Sequence, residues 1–265
     1  MPSPRPVARA APRQQFQTIA PDAAGRPLYR AAKAALLQAM EAGHCPPGSR
    51  LPSEGELARS LGLSIGTLRH AVDELVAEHI LVRRQGRGTY VATHNTDRFL
   101  FQFFHVERAD GLREAPQVET LGFERSRLDD EAATALQRRV GEPAFAVENR
   151  LSLQGRPVVH DRLWLPAALF KGLTEKRLRD RPSTLYHLYQ TAFGITVVQA
   201  SERARASLAD RATQRVLGLA AGAPVLQVRR TALTFGERPV EYRVSVLNTA
   251  LHEYVQLLSR PHGAA

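Results

Sequence analysis

Residues 51–91 read LPSEGELARSLGLSIGTLRHAVDELVAEHILVRRQGRGTYV, and this stretch decides the fold. Ser53 and Glu56 stand three apart, the spacing of a capping box: the hydroxyl takes a first-turn N–H and the carboxylate reaches back to the cap. Leu57, Ala58 and Leu61 then share one helical face, and Gly62 stands where a helix ends most cheaply in the left-handed region. Ser64 is placed to cap a second helix whose apolar face is Leu68, Ala71, Val72, Leu75 and Val76. Gly66, Thr67, Arg69 and His70 fall on the opposite face near its N-terminus. Two helices joined by so short a turn cross steeply, and the second then fits a DNA major groove.

A helix pair alone is also a common packing unit. The segment RRQGRG at 83–88 separates the two readings, because it sets three guanidiniums around two glycines before Thr89–Val91 returns as a strand. Glycines let the backbone approach a surface, and arginines suit phosphates or a narrow minor groove. The expectation is a winged helix-turn-helix. Its expected DNA-contacting residues are Ser53, Ser64, Gly66, Thr67, Arg69, His70, Arg84, Gln85, Gly86 and Arg87.

PLY at Pro27–Tyr29, PPGSRLPSEGELARSLGLS at 46–64 and GTLRHAVDELVAEHILVRRQGRGTYVA at 66–92 resemble the DNA-binding head of GntR-family bacterial transcription regulators. Order, spacing and wing agree over residues 26–92. Two positions depart from the pattern: Gly55 and Ile65 stand where the family usually has arginines that contact DNA.

Outward from the head, residues 1–24 are rich in Pro, Ala and Arg and read as a disordered basic arm. Leu28–Glu41 reads as an amphipathic helix that completes a DNA-binding domain over 25–92. The polar run ATHNTDR places a linker at 93–98, with a second domain over 99–258 and a tail at 259–265. Phe99–Val106, FLFQFFHV, reads as a buried strand. The 265 residues and 43% hydrophobic content suit two domains with real cores, and the net charge of +10 points toward an anionic partner such as nucleic acid. A single cysteine, Cys45, excludes an internal disulfide framework and fits a reducing cytosol, and the resemblance to GntR-family heads implies a place in the bacterial cytoplasm, in association with the nucleoid. No apolar run has the length of a membrane span, and no membrane partner is expected.

The second domain carries an internal duplication. One copy runs strand Val118–Leu128, helix Asp130–Val140, GEP, strand Ala144–Leu153, QGRP, strand Val158–Leu165. The other runs strand Thr196–Leu208, helix Asp210–Leu219, GAP, strand Val225–Phe235, GERP, strand Val240–Leu247. Between them lie a turn of helix near Glu175–Arg179 and an amphipathic helix around Ser183–Phe193. Two such halves sharing one antiparallel sheet make a pseudo-symmetric α+β domain with a cleft between sheet and helices.

This half resembles the UTRA effector-binding domain that follows GntR-type heads in the HutC subfamily, on the segments ENRLSLQGRPVVHDRLWLP, STLYHLY, SERARA and LGLAAGAPVLQVRRTALTFGERPVEY. The resemblance implies an α+β chain: a winged helix-turn-helix domain followed by an antiparallel-sheet, chorismate-lyase-like domain. It also implies a small-molecule effector, a homodimer and a near-palindromic double-stranded DNA operator. Polar residues on strands with one buried face are the candidate effector ligands: Arg150, His160, Asp161, Glu202, Arg203, Arg205, Glu241 and Arg243. Ser183, Thr184 and Tyr186 join them from the middle helix. No cofactor or metal is expected. The nine histidines form no ligand pair, and no nucleophile elbow, phosphate loop or dinucleotide fingerprint occurs. A regulator, more often a repressor, is the expected function. A lyase-like activity in the second domain and a ligand-independent DNA-packing role are the alternatives.

Overall fold

A computed structural model describes residues 16, 18–19, 27–94 and 102–256. Nearly all of the expected basic arm, linker residues 95–98 and the tail lie outside the described residues. The chain divides into two compact units, Met1–Ala92 and Thr93–Ala265.

In the first unit three helices, α1 (Leu28–Glu41), α2 (Glu54–Leu61) and α3 (Ile65–Ala77), precede a two-stranded wing, β1 (Leu81–Arg84) and β2 (Gly88–Val91). Local chemistry sets each boundary. Ser53 and Glu56 complete a capping box at α2, and Gly62 closes that helix at φ 70°. Ser64 caps α3 by accepting from the Thr67 N–H. The core is small: Leu36 of α1, Leu57 and Leu61 of α2, and Leu68, Val72 and Leu75 of α3 are fully enclosed. Lys33 of α1 joins Glu74 and Glu78 of α3. Before α1, the Ile19 N–H donates to the Leu61 carbonyl, so that part of the arm is held against the end of α2.

The second unit is built on a six-stranded antiparallel sheet ordered β4-β5-β6-β9-β8-β7. The strands are β4 (Gln117–Arg127), β5 (Pro143–Leu153), β6 (Arg156–Pro166), β7 (Gln199–Leu208), β8 (Pro224–Thr234) and β9 (Arg238–Leu247). Each copy of the duplication supplies three adjacent strands, and the copies meet where β6 pairs with β9. Helices α4 (Asp130–Leu136) and α7 (Arg211–Leu217) belong to equivalent places in the two copies. They pack on one face of the sheet with Tyr242, Val244 and Val246. The opposite face is covered by α5 (Glu175–Arg179) and α6 (Leu185–Phe193), through a core that includes Phe170, Leu178, Tyr186 and Tyr189. A short pair, β3 (Val106–Arg108) with β10 (His252–Tyr254), closes one end.

Two expectations need correction. Phe99–Val106 is not a strand over its described part: Gln102 is helical, Phe103 lies in a turn, and pairing begins only at Val106. A short apolar run fits either geometry, and here Phe103 and Phe104 are buried as anchors rather than as a sheet row. The polar run expected to be the linker contains a residue fixed in the second unit. His94 is 1% exposed, its N–H donates to Gln190 Oε1, and its ring packs on Phe103 and Tyr186.

Candidate DNA-binding surface and effector cavity

On the first unit the exposed face of α3 and the wing carry the expected DNA contacts, although several are engaged within the head. Ser53 is occupied with Glu56. Ser64 Oγ accepts the Thr67 N–H at 3.1 Å and lies 2.8 Å from Thr67 Oγ1. Arg69 Nε is 2.9 Å from Glu54 Oε2. The His70 ring stacks on Tyr29 with centroids 4.1 Å apart. In the wing, Arg84 lies over the Tyr90 ring at 4.5 Å. Gln85, Gly86 and Arg87 form the exposed tip, where Gly86 at φ 68° makes the turn that a side chain would strain. Glu54 is a residue sequence reasoning missed. It also receives Arg83, at 3.3 Å, and Arg83 reaches Asp73 of α3 at 2.5 Å, so Glu54 and Asp73 together tie α3 to the wing. A cleft of about 470 Å³ opens between wing and α2, walled by Arg50, Arg83 and Arg84 around this acid.

The second unit holds a cavity of about 470 Å³ between the sheet and the segment leading into α6. Its floor is Thr120 on β4, Asn149 and Leu151 on β5, Asp161 on β6 and Arg243 on β9, residues that share one face of the sheet through the observed register. Its roof is Arg179, Arg181, Ser183, Thr184, Leu185 and Tyr186, Ala115, Pro116 and Val118 supply apolar wall, and Glu119 adds a carboxylate on the β4 side. The volume is in the range of small-molecule sites.

Behind the floor lies a buried ionic network. Glu241, 0% exposed, accepts from Tyr186 Oη at 3.2 Å, Tyr189 Oη at 2.6 Å and Arg243 Nε at 2.9 Å. Arg243 also donates to Asp161 at 3.0 Å, and Ser245 Oγ donates to the other Asp161 oxygen at 2.6 Å. Burial works against the Arg243 charge, but Glu241 and Asp161 hold its pKa well above the ordinary range. Burial, and then the Glu241 charge, push the Tyr186 phenol up to about 12. Every charge in this network has a partner.

Arg181 differs. It lies in the loop between α5 and α6, and its guanidinium donates to the Leu178 carbonyl. Among the described residues no carboxylate stands within ion-pair distance of it. Burial lowers its pKa, Tyr189 opposes that shift, and the Arg243 charge adds to it.

Of the expected effector ligands the cavity brings together Asp161, Ser183, Thr184, Tyr186 and Arg243. Glu241 stands behind them, hydrogen-bonded to Tyr186, Tyr189 and Arg243. The others lie elsewhere. His160 is on the opposite face, between Glu148 at 2.7 Å and Thr213 of α7 at 3.0 Å. Arg203 and Arg205 point to that same far face on edge strand β7, where Arg205 donates to Gln227. Arg150 does not line the cavity itself but is paired at 2.5 Å with Glu119, which does. Glu202 binds Arg230 and Tyr254 beneath Phe103, away from the cavity. Glu119, Thr120, Asn149, Arg179 and Arg181 are the polar cavity residues that sequence reasoning missed. Arg181 sits in an aperiodic loop, where only its position just before Ser183 and Thr184 gives a signal.

Residues 28–91 match the family described as bacterial regulatory proteins, gntR family, and residues 112–253 match the UTRA domain. The chain is 32% identical over 217 residues to the histidine utilization repressor of Pseudomonas putida, covering 81% of this chain and 85% of that protein. It is 26% identical over 237 residues to the mannosyl-D-glycerate transport/metabolism system repressor of Escherichia coli (strain K12), covering 89% and 97%. Among solved structures, the ligand-binding domain of a GntR-family regulator from Bordetella bronchiseptica matches with a TM-score of 0.58 and 34% identity, over 60% of this chain and 99% of that one.

Proposed function

Since the chain belongs to the GntR family of bacterial regulatory proteins, with a UTRA domain behind its DNA-binding head, and is a transcriptional repressor under small-molecule control rather than an enzyme, we propose that a small organic anion seated on Arg181 sets its affinity for a near-palindromic operator. The observation that carries this reading is the cavity itself: a ligand-sized space in which Glu119 is paired with Arg150 and Arg179 with Glu175, while the Arg181 guanidinium has no ion-pair partner among the described residues. The anionic group, a carboxylate or a phosphate, meets Arg181 beside the hydroxyls of Ser183 and Thr184. The body of the ligand lies on Leu151, Val118 and Tyr186, and Asn149 and Thr120 give polar contacts at the far end. Histidine and mannosyl-D-glycerate, for which the two relatives' systems are named, both carry a carboxylate.

In this reading two copies of the chain, in the bacterial cytoplasm, place their α3 helices in successive major grooves about 34–36 Å apart. Arg84 and Arg87 contact phosphates, which supplies much of the affinity and its salt dependence, while Thr67, Arg69 and His70 meet base edges. The ligand favours one arrangement of the paired second units. A coupling of roughly 1–3 kcal/mol changes operator occupancy about 5–150-fold. The test is in vitro selection of operator duplexes, followed by release assays with carboxylates, phosphates and their neutral amides or alcohols. Release by an acid and not by its amide supports the reading. Equal affinity for every duplex, or release by neutral compounds alone, overturns it.

A further inference from the structure

At the leading end of α3 one side chain stands apart from the engaged ones. Ser64 and Thr67 hydroxyls are joined to each other, Arg69 is held by Glu54, and His70 is stacked on Tyr29. Ile65, the first residue of the helix, is 50% exposed. Beside it, a Cβ built on Gly66 would meet nothing closer than Ser64 Oγ at 3.9 Å, so the surface next to the isoleucine is bare backbone with open space in front. The first turn of the helix is the part that reaches base edges in a groove-bound helix-turn-helix. An isoleucine there offers no hydrogen bond and loses little on giving up its water. The one apolar feature of a major-groove base edge is the C5-methyl of thymine.

We propose that Ile65 is a specificity-determining residue that reads a thymine in each operator half-site by packing on its C5-methyl, Gly66 giving the room for close approach. The inference rests on the reading that α3 enters the major groove. An exposed isoleucine is also an ordinary surface feature, and the experiment separates the two cases.

Operators are selected from random duplexes with the full chain, and each dT of the half-site is then replaced by dU, which removes only the methyl group. The expected result is one position at which the replacement weakens binding about fourfold per half-site, the equivalent of one buried CH₂ at about 0.8 kcal/mol. In Ile65→Ala the dT and dU duplexes bind equally, with an unchanged melting temperature because the side chain is exposed. In Ile65→Leu part of the preference survives. Binding indifferent to dU at every position, or a dU penalty undiminished in Ile65→Ala, overturns the thymine contact alone. Selection that enriches no sequence overturns the groove reading and this contact together.

Discussion

Glu54 accepts Arg69 Nε through one carboxylate oxygen at 2.9 Å and Arg83 through the other at 3.3 Å. The acid is in the first turn of α2, where the helix dipole favours it, and it restrains Arg69 on α3, while Arg83 of the wing it shares with Asp73 at 2.5 Å. A free arginine follows any phosphate, whereas a tethered one is held for a particular geometry. Glu54→Gln is therefore expected to raise affinity for random DNA more than for the operator, narrowing the ratio of the two. Stability should change by less than about 1 kcal/mol, because these are surface pairs. Fluorescence anisotropy with operator and scrambled duplexes, at matched salt, measures the ratio. An unchanged ratio would remove Glu54 from selectivity.

Gly55 follows in the same helical turn, and a Cβ built there meets nothing within 4 Å. Its φ is not positive, so a side chain is admitted without strain. Gly55→Ala is expected to stabilise the head by about 0.5–1 kcal/mol through helix propensity, with no change in the salt dependence of DNA binding. Gly55→Arg places a guanidinium where the family usually has one. If it meets a phosphate, the slope of log K against log salt steepens by about 0.9. Denaturant melts and a salt titration measure the two effects separately.

The head was legible because its signals are local. The Ser53–Glu56 box, Gly62 and Ser64 each act within one turn, and each is found in the role its spacing predicts. The duplication was legible for a similar reason, since turns and helix caps repeat in order. The faces of the sheet were not. Side-chain direction alternates with every residue, and the register shifts at Thr120/Gly122, Leu151/Ser152 and Ala232/Leu233 break the alternation. His160 and Asp161 are adjacent in sequence yet face opposite layers, so polarity alone could not choose between them. Arg181 was illegible because a loop carries no periodicity, and its importance comes from the absence of an acid beside it among the described residues.

The buried phenols predict how the second unit responds to alkali. Tyr186 is pushed up to about 12, and Tyr189 is raised well above its ordinary value, by burial and then by the Glu241 charge. The folded state thus keeps these groups neutral beyond about pH 10, where unfolded tyrosines ionise. Their contribution to stability is intact below that pH and is lost as pH rises through the folded values. The unfolding free energy of this unit should fall between about pH 10 and 12. Ultraviolet phenolate absorbance from these residues should appear only as the circular dichroism of the unit is lost. Tyr186→Phe should flatten part of the fall. Phenolate formation by these two residues with the sheet intact would contradict the assignment.

Arg181 and Arg243 line the same cavity, and they separate binding from folding. Arg243 is locked between Glu241 and Asp161, so Arg243→Gln leaves two buried carboxylates short of their counter-charge. Breaking a buried pair from one side costs roughly 3–5 kcal/mol, and the variant is expected to lose most of the unit's stability whether or not a ligand is present. Arg181 has no such partner, and burial already weighs against its charge. Arg181→Gln removes a cation that the empty cavity does not reward. In the absence of effector it should leave stability unchanged or raise it, while reducing release of operator by an anionic effector at least tenfold, about 1.4 kcal/mol. A ligand at 100 times its dissociation constant raises stability by about 2.7 kcal/mol, so thermal shifts with an acid that releases the wild-type protein read out both properties in one experiment. If Arg181→Gln instead unfolds the unit, the guanidinium is structural. If it folds and still responds to the acid in full, the anion is held elsewhere.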